Sequence, residues 1–111
     1  MAVSKLIKAR AENLYTGSGT YSNDMGTTIT LDKDVRCYGV IKLELFVSSV
    51  SSSTRRIVVI NNMYNNISAS YYIYATPTGS GNLRVEATGT SLTLLSGTES
   101  NMYLHNVAGT F

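Results

Sequence analysis

Side chains that act as acids, bases or nucleophiles are few in this chain. Its 111 residues include one histidine, His105, one cysteine, Cys37, and seven carboxylates. General acid–base catalysis needs titratable groups that are held together with shifted pKa values. His105 and Cys37 can in principle form a nucleophile pair, but neither lies in a recognisable catalytic motif. We therefore expect no catalytic residue and no enzyme activity, a surface or interface position for His105, and a buried strand position for Cys37.

Metal and phosphate chemistry also lacks a clear motif. A structural zinc site needs four nitrogen or sulfur ligands, which one histidine and one cysteine cannot supply. Asp24, Asp32 and Asp34 form an oxygen-rich segment that can hold calcium, but the segment lacks the glycine and distal glutamate of an EF-hand. A hairpin turn with solvated carboxylates is the favoured interpretation. The Gly-Ser-Gly sequence at 17–19 has neither a lysine nor a helix after it, so it is not a phosphate loop. The sequence predicts no metal and no cofactor.

A pair of carboxylates across a cleft is the remaining catalytic possibility. Glycosidases use such a pair, and Glu44 and Glu86 can in principle oppose each other. Both glutamates lie in strand-like segments where polar and apolar residues alternate. We therefore expect the two side chains to face solvent.

Tyrosine is the residue that this sequence has in excess. There are eight tyrosines and no tryptophan. Half of them follow or flank an asparagine cluster, at Tyr64, Tyr71, Tyr72 and Tyr74 beside Asn61, Asn62, Asn65 and Asn66. Tyrosine offers a flat amphipathic surface and asparagine offers both donors and acceptors, a combination typical of polar recognition sites. The candidate ligand-binding residues are Tyr64, Tyr72, Tyr74, Asn61, Asn62 and Asn65. Tyrosine also favours strands, so a purely structural role stays open for Tyr72 and Tyr74.

The elements that would position these residues are strands, because apolar residues recur with a period of two. The segment Tyr38–Val47 alternates most clearly, with isoleucine, leucine and valine on one face and lysine, glutamate and phenylalanine on the other. The run Arg55–Ile60 does not alternate, which predicts a strand buried on both faces. We expect these two strands to form a central hairpin.

Further strands follow at the short spacing typical of a sandwich or barrel. They are predicted at 26–31, 66–76, 82–88, 91–96 and 102–108, with Leu14-Tyr15 as the end of another. Strict alternation in 66–76 would place Tyr72 and Tyr74 on one face, opposite the apolar residues. The segment 2–15 is ambiguous, because it also fits a short amphipathic helix. The predicted fold is an all-β antiparallel sandwich of seven or eight strands, jelly-roll-like or Ig-like, in one domain over 14–111 with an N-terminal arm or first strand over 1–13.

Composition limits the partners of this domain. The net charge is +2 and the basic residues are scattered, so electrostatics does not favour nucleic acid. No apolar stretch approaches the roughly 20 residues that span a bilayer, and no secretory signal is evident at the N-terminus. A single cysteine excludes an internal disulfide. We expect neither a membrane nor a nucleic acid as partner.

The order of segments carries a resemblance to a known class of proteins. Leu14-Tyr15 precedes a Gly/Ser loop, Thr28-Ile29-Thr30-Leu31 follows, and then come the long strand Tyr38–Val47 and its partner Arg55–Ile60. A tyrosine-rich strand and a closing apolar strand, Leu104–Gly109, complete the pattern. Over residues 14–111 the chain resembles the small β-sandwich domains of tailed-bacteriophage tail-fibre tips, baseplates and virion decoration proteins.

This resemblance implies a role in the virion, assembled in the host cytoplasm, commonly as a homotrimer among other virion proteins. One expectation is a receptor-binding or fibre-tip module that recognises a bacterial surface glycan or protein. The alternative is a purely structural part, such as a head decoration or fibre-assembly protein. In either role, outward-facing Phe46, Tyr72 and Tyr74 suit a subunit interface.

The strand pattern makes a spectroscopic prediction. Far-ultraviolet circular dichroism should give a β spectrum with less than about a tenth helix, against the roughly 30–35% typical of globular domains. A helix content above about a quarter would contradict the fold prediction.

Overall fold

The fold is built almost entirely from β-strands. A computed structural model describes residues 11–17, 26–48, 53–76, 79–96 and 102–111. Its strands are β1 Glu12–Thr16, β2 Thr28–Thr30, β3 Val40–Ser48, β4 Ser53–Ile60, β5 Ile67–Thr76, β6 Gly79–Thr88, β7 Ser91–Ser96 and β8 Met102–Thr110. A short 3-10 helix, Val35–Cys37, lies between β2 and β3. Within the described ranges, no helix is long and apolar enough to cross a membrane.

Two antiparallel four-stranded sheets pack against each other, as predicted. The first sheet has the order β1-β8-β3-β4 and the second has the order β2-β7-β6-β5. The first strand pairs with the last and the second with the seventh, which is the nested winding of a jelly-roll-like sandwich. The hairpin β3–β4 completes the first sheet. Strands β5 and β6 complete the second sheet, where they form a meander with β7.

The core lies where the alternating apolar positions of the two sheets meet. Ile41, Leu43 and Leu45 of β3 are fully buried, whereas Lys42 on the same strand is exposed. The second sheet contributes Leu83, Val85, Leu92 and Leu94 to the same cluster. The period-two prediction is therefore confirmed for β3, β6 and β7, because side chains at every second position share one face.

The prediction for Arg55–Ile60 is wrong in one respect. Strand β4 pairs with β3, but it lies at the edge of its sheet and is not central. Val58 and Ile60 are buried, while Ile57 and Val59 are 50% and 57% exposed. The strand has only one buried face, because nothing among the described residues covers the outer face at this edge.

Cys37 also departs from its prediction. It is exposed and ends the 3-10 helix, so it is not buried in a strand. The helix is set by Asp34, whose carboxylate accepts hydrogen bonds from the Arg36 backbone N–H at 2.8 Å and from its guanidinium Nη2 at 2.7 Å. These hydrogen bonds lower the pKa of Asp34 to about 2. Strand β3 begins only at Val40, after this turn.

The predicted strand at Leu14-Tyr15 is confirmed. Leu14 and Tyr15 lie in β1, and Leu14 is fully buried in the core. Residues 1–10, which hold most of the predicted arm, lie outside the described residues.

Tyr38 closes one end of the core. Its side chain is fully buried, and its hydroxyl donates a 2.7 Å hydrogen bond to Oε1 of Glu12 on β1. That bond and a second from Lys33 lower the pKa of Glu12, while burial, together with the Glu12 bond, raises the pKa of Tyr38. The Phe111 ring lies 5.1 Å from the Tyr38 ring, so the chain terminus packs on the same residue.

Gly109 on β8 leaves no room for a side chain beside Tyr38. A Cβ at this position would lie 2.5 Å from the Tyr38 ring, whereas a Cβ at Gly39 would lie 3.4 Å from the ring of the exposed Tyr64. We predict that Gly109→Ala lowers the free energy of unfolding by about 1–3 kcal/mol, because the buried ring must shift. Gly39→Ala is the matched control and should cost less, which urea denaturation of both variants can measure. Equal costs would contradict the packing described here.

Candidate functional site

The connection between β4 and β5 carries most of the asparagines that the sequence singles out. We call residues 61–66 the crossover loop, because here the chain passes from one sheet to the other. Met63 and Tyr64 have φ values of 50° and 64°, a left-handed backbone conformation that residues other than glycine rarely adopt. The Met63 N–H donates to the Gly39 carbonyl and the Tyr64 N–H to the Tyr38 carbonyl, both at 2.9 Å. The loop is thus fixed against the segment that leads into β3.

Asn62 fixes the crossover loop from the inside. It is only 8% exposed, and its Nδ2 donates to the carbonyls of Val35 at 3.0 Å, Tyr38 at 3.1 Å and Asn65 at 3.1 Å. The amide has two hydrogens, so these three acceptors share them. Its Oδ1 is buried and has no hydrogen-bond partner within the described part of the chain. Asn62 also belongs to the lining of the groove beside this loop, but both hydrogens of its amide are used to hold the fold. Its role as a ligand-binding residue stays a prediction.

An open groove of about 200 Å³ lies beside the crossover loop, between the edge strands β4 and β5. Its lining includes the exposed polar residues Asn61, Asn66 and Ser68 and the half-buried Tyr71. Buried Asn62, half-buried Ala69 and the buried isoleucines at the end of β4 and the start of β5 complete it. This mixture of exposed amide, hydroxyl and aromatic groups can bind a small ligand that has both polar and apolar edges.

Two of the groove residues are held in place by hydrogen bonds to the second sheet. Oδ1 of Asn66 accepts from the Gly89 N–H at 3.1 Å, and Oγ of Ser68 accepts from Nη2 of Arg84 at 2.8 Å. The Asn66 amide nitrogen and the Ser68 hydroxyl proton can therefore still donate. Burial raises the pKa of Tyr71, which keeps its hydroxyl protonated.

The structure separates the predicted ligand-binding residues. Asn61 lines the groove and is exposed. Asn65 is exposed, but its amide donates to the Met63 carbonyl at 3.0 Å within the loop. Tyr64 is 51% exposed and its ring lies over Gly39.

Tyr72 and Tyr74 belong to β5, but their side chains lie outside the described part of the molecule. The register of β5 with β6 shifts between them, since Tyr72 pairs with Asn82 and Tyr74 with Gly81. Such a shift is a β-bulge or irregularity in the pairing of the two strands. The placement of both tyrosines on one face stays a prediction.

Sequence reasoning missed Ser68 as a candidate and left Asn66 and Tyr71 out of the predicted site. Asn66 and Tyr71 belong to the same tyrosine and asparagine cluster, so composition gave a signal for them. Ser68 has no such signal, because its role depends on β5 lying at an edge beside β4.

Phe46 lies on the outer face of the first sheet, as predicted. Its ring is half-buried and stacks on the Tyr103 ring, with the ring centroids 5.1 Å apart. The His105 ring is perpendicular to the Phe46 ring, with the centroids 5.6 Å apart. His105 is thus a half-buried surface residue. Cys37 lies before the start of β3, whereas His105 lies beside Leu45 near the middle of that strand. The rise along the strand separates the two residues by about 15 Å or more, so they do not form a nucleophile pair.

The carboxylates do not form a catalytic or metal site in the described part of the chain. Glu44 pairs with Arg55 at 2.8 Å on the first sheet, and Glu86 pairs with Arg84 at 2.9 Å on the second. They point outward from different sheets, so they do not oppose each other across a cleft. Among the described residues, no three histidine, cysteine or acidic side chains cluster to hold a metal. Asp24 lies outside those residues.

No protein-family model matches this sequence, and no curated protein matches it significantly. The candidate site is therefore defined by its own geometry.

The structural role of Asn62 can be separated from the role of its neighbour. Asn62→Asp would place a carboxylate against three carbonyl oxygens, and we predict a loss of at least about 2 kcal/mol in the free energy of unfolding. Asn61→Asp is the matched control and should change stability by less than about 0.5 kcal/mol, because Asn61 is exposed. Urea denaturation at neutral pH measures both. A stable Asn62→Asp variant would contradict the role assigned to this amide.

Proposed function

We propose that this domain is a non-enzymatic module of a tailed-phage virion that binds a bacterial surface glycan through the groove between β4 and β5. The observation that carries the proposal is the combination in one open groove of Asn61, Asn66 and Ser68 with Tyr71. Sugars present hydroxyls that donate and accept and ring faces that are apolar, which matches these groups.

The size of the groove supports a small binding determinant. At about 200 Å³ it is smaller than the roughly 300–1,000 Å³ of pockets for drug-sized ligands. A groove of this volume suits one or two units of a surface polysaccharide. Binding at one such site is weak, since little surface is buried and side chains must be ordered.

Self-association is part of the proposal. Several weak sites on one particle raise the overall avidity without any new contact. The resemblance to fibre-tip and baseplate domains implies a homotrimer, placed among other proteins in the virion after assembly in the host cytoplasm.

A second candidate function is a purely structural virion part, such as a decoration or fibre-assembly protein. One observation favours it. Ile57 and Val59 present an apolar outer face on an edge strand, which suits protein contact better than contact with a sugar.

The glycan proposal predicts a binding defect from changes in the groove. The variant with Asn61→Ala and Ser68→Ala should bind bacterial surface polysaccharides at least tenfold more weakly than the parent protein, because it loses the exposed amide and hydroxyl. A glycan array of such polysaccharides, followed by calorimetry on the best hit, measures the change. Thr30→Ala, on an exposed position of β2 in the opposite edge of the sandwich, is the control and should bind as the parent does.

A third variant tests how far the site extends along β5. Tyr72→Ala with Tyr74→Ala lowers binding if the tyrosine strand contributes to recognition. If the parent protein binds no polysaccharide on the array, the structural role replaces the receptor-binding role.

A further inference from the structure

Among the described residues the two sheets have four edge strands, and three of these strands are protected against pairing with another chain. Strand β2 has three residues, and β1 has five with a register shift between Asn13 and Tyr15. Strand β5 has a shift between Tyr72 and Tyr74. Short strands and bulges are the features by which proteins block unwanted edge pairing.

Strand β4 has none of these features. It runs for eight residues, Ser53–Ile60, and its register with β3 is unbroken from Ser53 to Ile60. It contains no proline, and its second half, Ile57–Ile60, carries no charge. Outward-facing Ile57 and Val59 are 50% and 57% exposed there. An edge that is long, regular and apolar is suited to receive another strand.

We propose that β4 pairs antiparallel with β4 of a second copy of this chain, about a twofold axis at Val58. In this register Ile57 lies opposite the partner's Val59, and Val59 lies opposite the partner's Ile57. The two first sheets then form one continuous eight-stranded sheet, and four exposed apolar side chains cover one another on its outer face.

The apolar residues themselves select this register. A shift of two residues in one direction places Arg55 opposite the partner's Val59, and a shift in the other direction places Ile57 opposite the partner's Asn61. Each shift replaces an apolar pair by a mixed one. A shift by one residue turns the outer face of one copy toward the core side of the other.

The charge of Arg55 also permits a second copy. Arg55 is paired with Glu44 at 2.8 Å within its own sheet. In the proposed register it lies opposite the partner's Asn61, and the two Arg55 positions are six residues apart along the pair. That separation is about 20 Å, beyond the roughly 8 Å over which exposed charges interact at physiological salt. This self-complementarity is the reason to assign the edge to a second copy.

The pairing rests on the self-association proposed above and gives it a surface, but it predicts a twofold pair where the resemblance implies a homotrimer. A contact about a twofold axis closes on itself, so a chain that uses it alone is a dimer, not a trimer. The glycan groove shares Asn61 with the end of the paired register, but Ile57 and Val59 are not among its lining residues. Loss of the dimer and loss of glycan binding are therefore separate outcomes.

The test is the mass of the full chain and of four variants by sedimentation equilibrium at micromolar concentration. The parent should have twice the 12.0 kDa of the monomer. Ile57→Lys alone and Val59→Glu alone should each raise the dimer dissociation constant at least tenfold. Leu95→Lys is the matched control, because Leu95 is an exposed apolar residue of β7 in the other sheet, and it should leave the dimer unchanged.

The double variant with Ile57→Lys and Val59→Glu tests the register. It places each introduced lysine opposite the glutamate introduced in the partner, and it should restore the dimer to within about threefold of the parent. Circular dichroism confirms that each variant is folded. A parent that is a monomer or a trimer, single variants that remain dimers, or a double variant that stays dissociated would each overturn the proposed pairing.

Discussion

The buried amide of Asn62 is the interaction on which the functional half of this molecule depends. It joins the carbonyls of Val35 and Tyr38 to the crossover loop, across 27 and 24 residues of sequence. The loop can then hold Met63 and Tyr64 in left-handed conformations, with their backbone N–H groups bonded to the segment before β3. Without this amide, the backbone hydrogen bonds of Met63 and Tyr64 would have to hold the loop between β4 and β5 against this segment without support from the interior.

The path of the chain from β4 into β5 determines which groups the surface presents at this edge of the sandwich. The groove exists because β4 and β5 are edge strands of different sheets, joined by a loop that is held close to the core. Hydrogen bonds from the Gly89 N–H to Asn66 and from Arg84 to Ser68 fix its polar wall to the second sheet. The apolar outer face of β4 has the same origin, since an edge position leaves Ile57 and Val59 uncovered. Recognition and self-association are thus proposed for neighbouring parts of one edge.

The fold could be predicted from the sequence to the extent that side chains alternate. Alternation marks which residues share a face, and it identified β3, β6 and β7 with their buried residues. It cannot report the position of a strand within a sheet, which depends on where other strands lie. The run Ile57–Ile60 therefore suggested a central strand and is an edge. The shift between Tyr72 and Tyr74 is likewise a property of pairing between β5 and β6.

The sequence predicted where in the chain the candidate site lies, but it did not predict all of the residues that form it. Composition pointed to the asparagines and tyrosines around the crossover loop, and Asn61 does line the groove. Composition could not separate Asn61 from Asn62, because two of the three carbonyls that accept from Asn62 belong to the distant residues Val35 and Tyr38. Cys37 was misplaced for a similar reason, since the Asp34 cap and its bonds to Arg36 form a helical turn where a strand was expected.

The central claim is that Asn62 holds the crossover loop as part of the folded core, and native-state hydrogen exchange tests it most directly. The Met63 and Tyr64 backbone N–H groups are bonded to Gly39 and Tyr38 carbonyls. In the parent protein they should exchange about as slowly as the amides of β3, and in Asn62→Ala they should exchange at least tenfold faster while the amides of β7 change little. Rapid exchange of Met63 and Tyr64 in the parent, or slow exchange that persists in Asn62→Ala, would contradict the account.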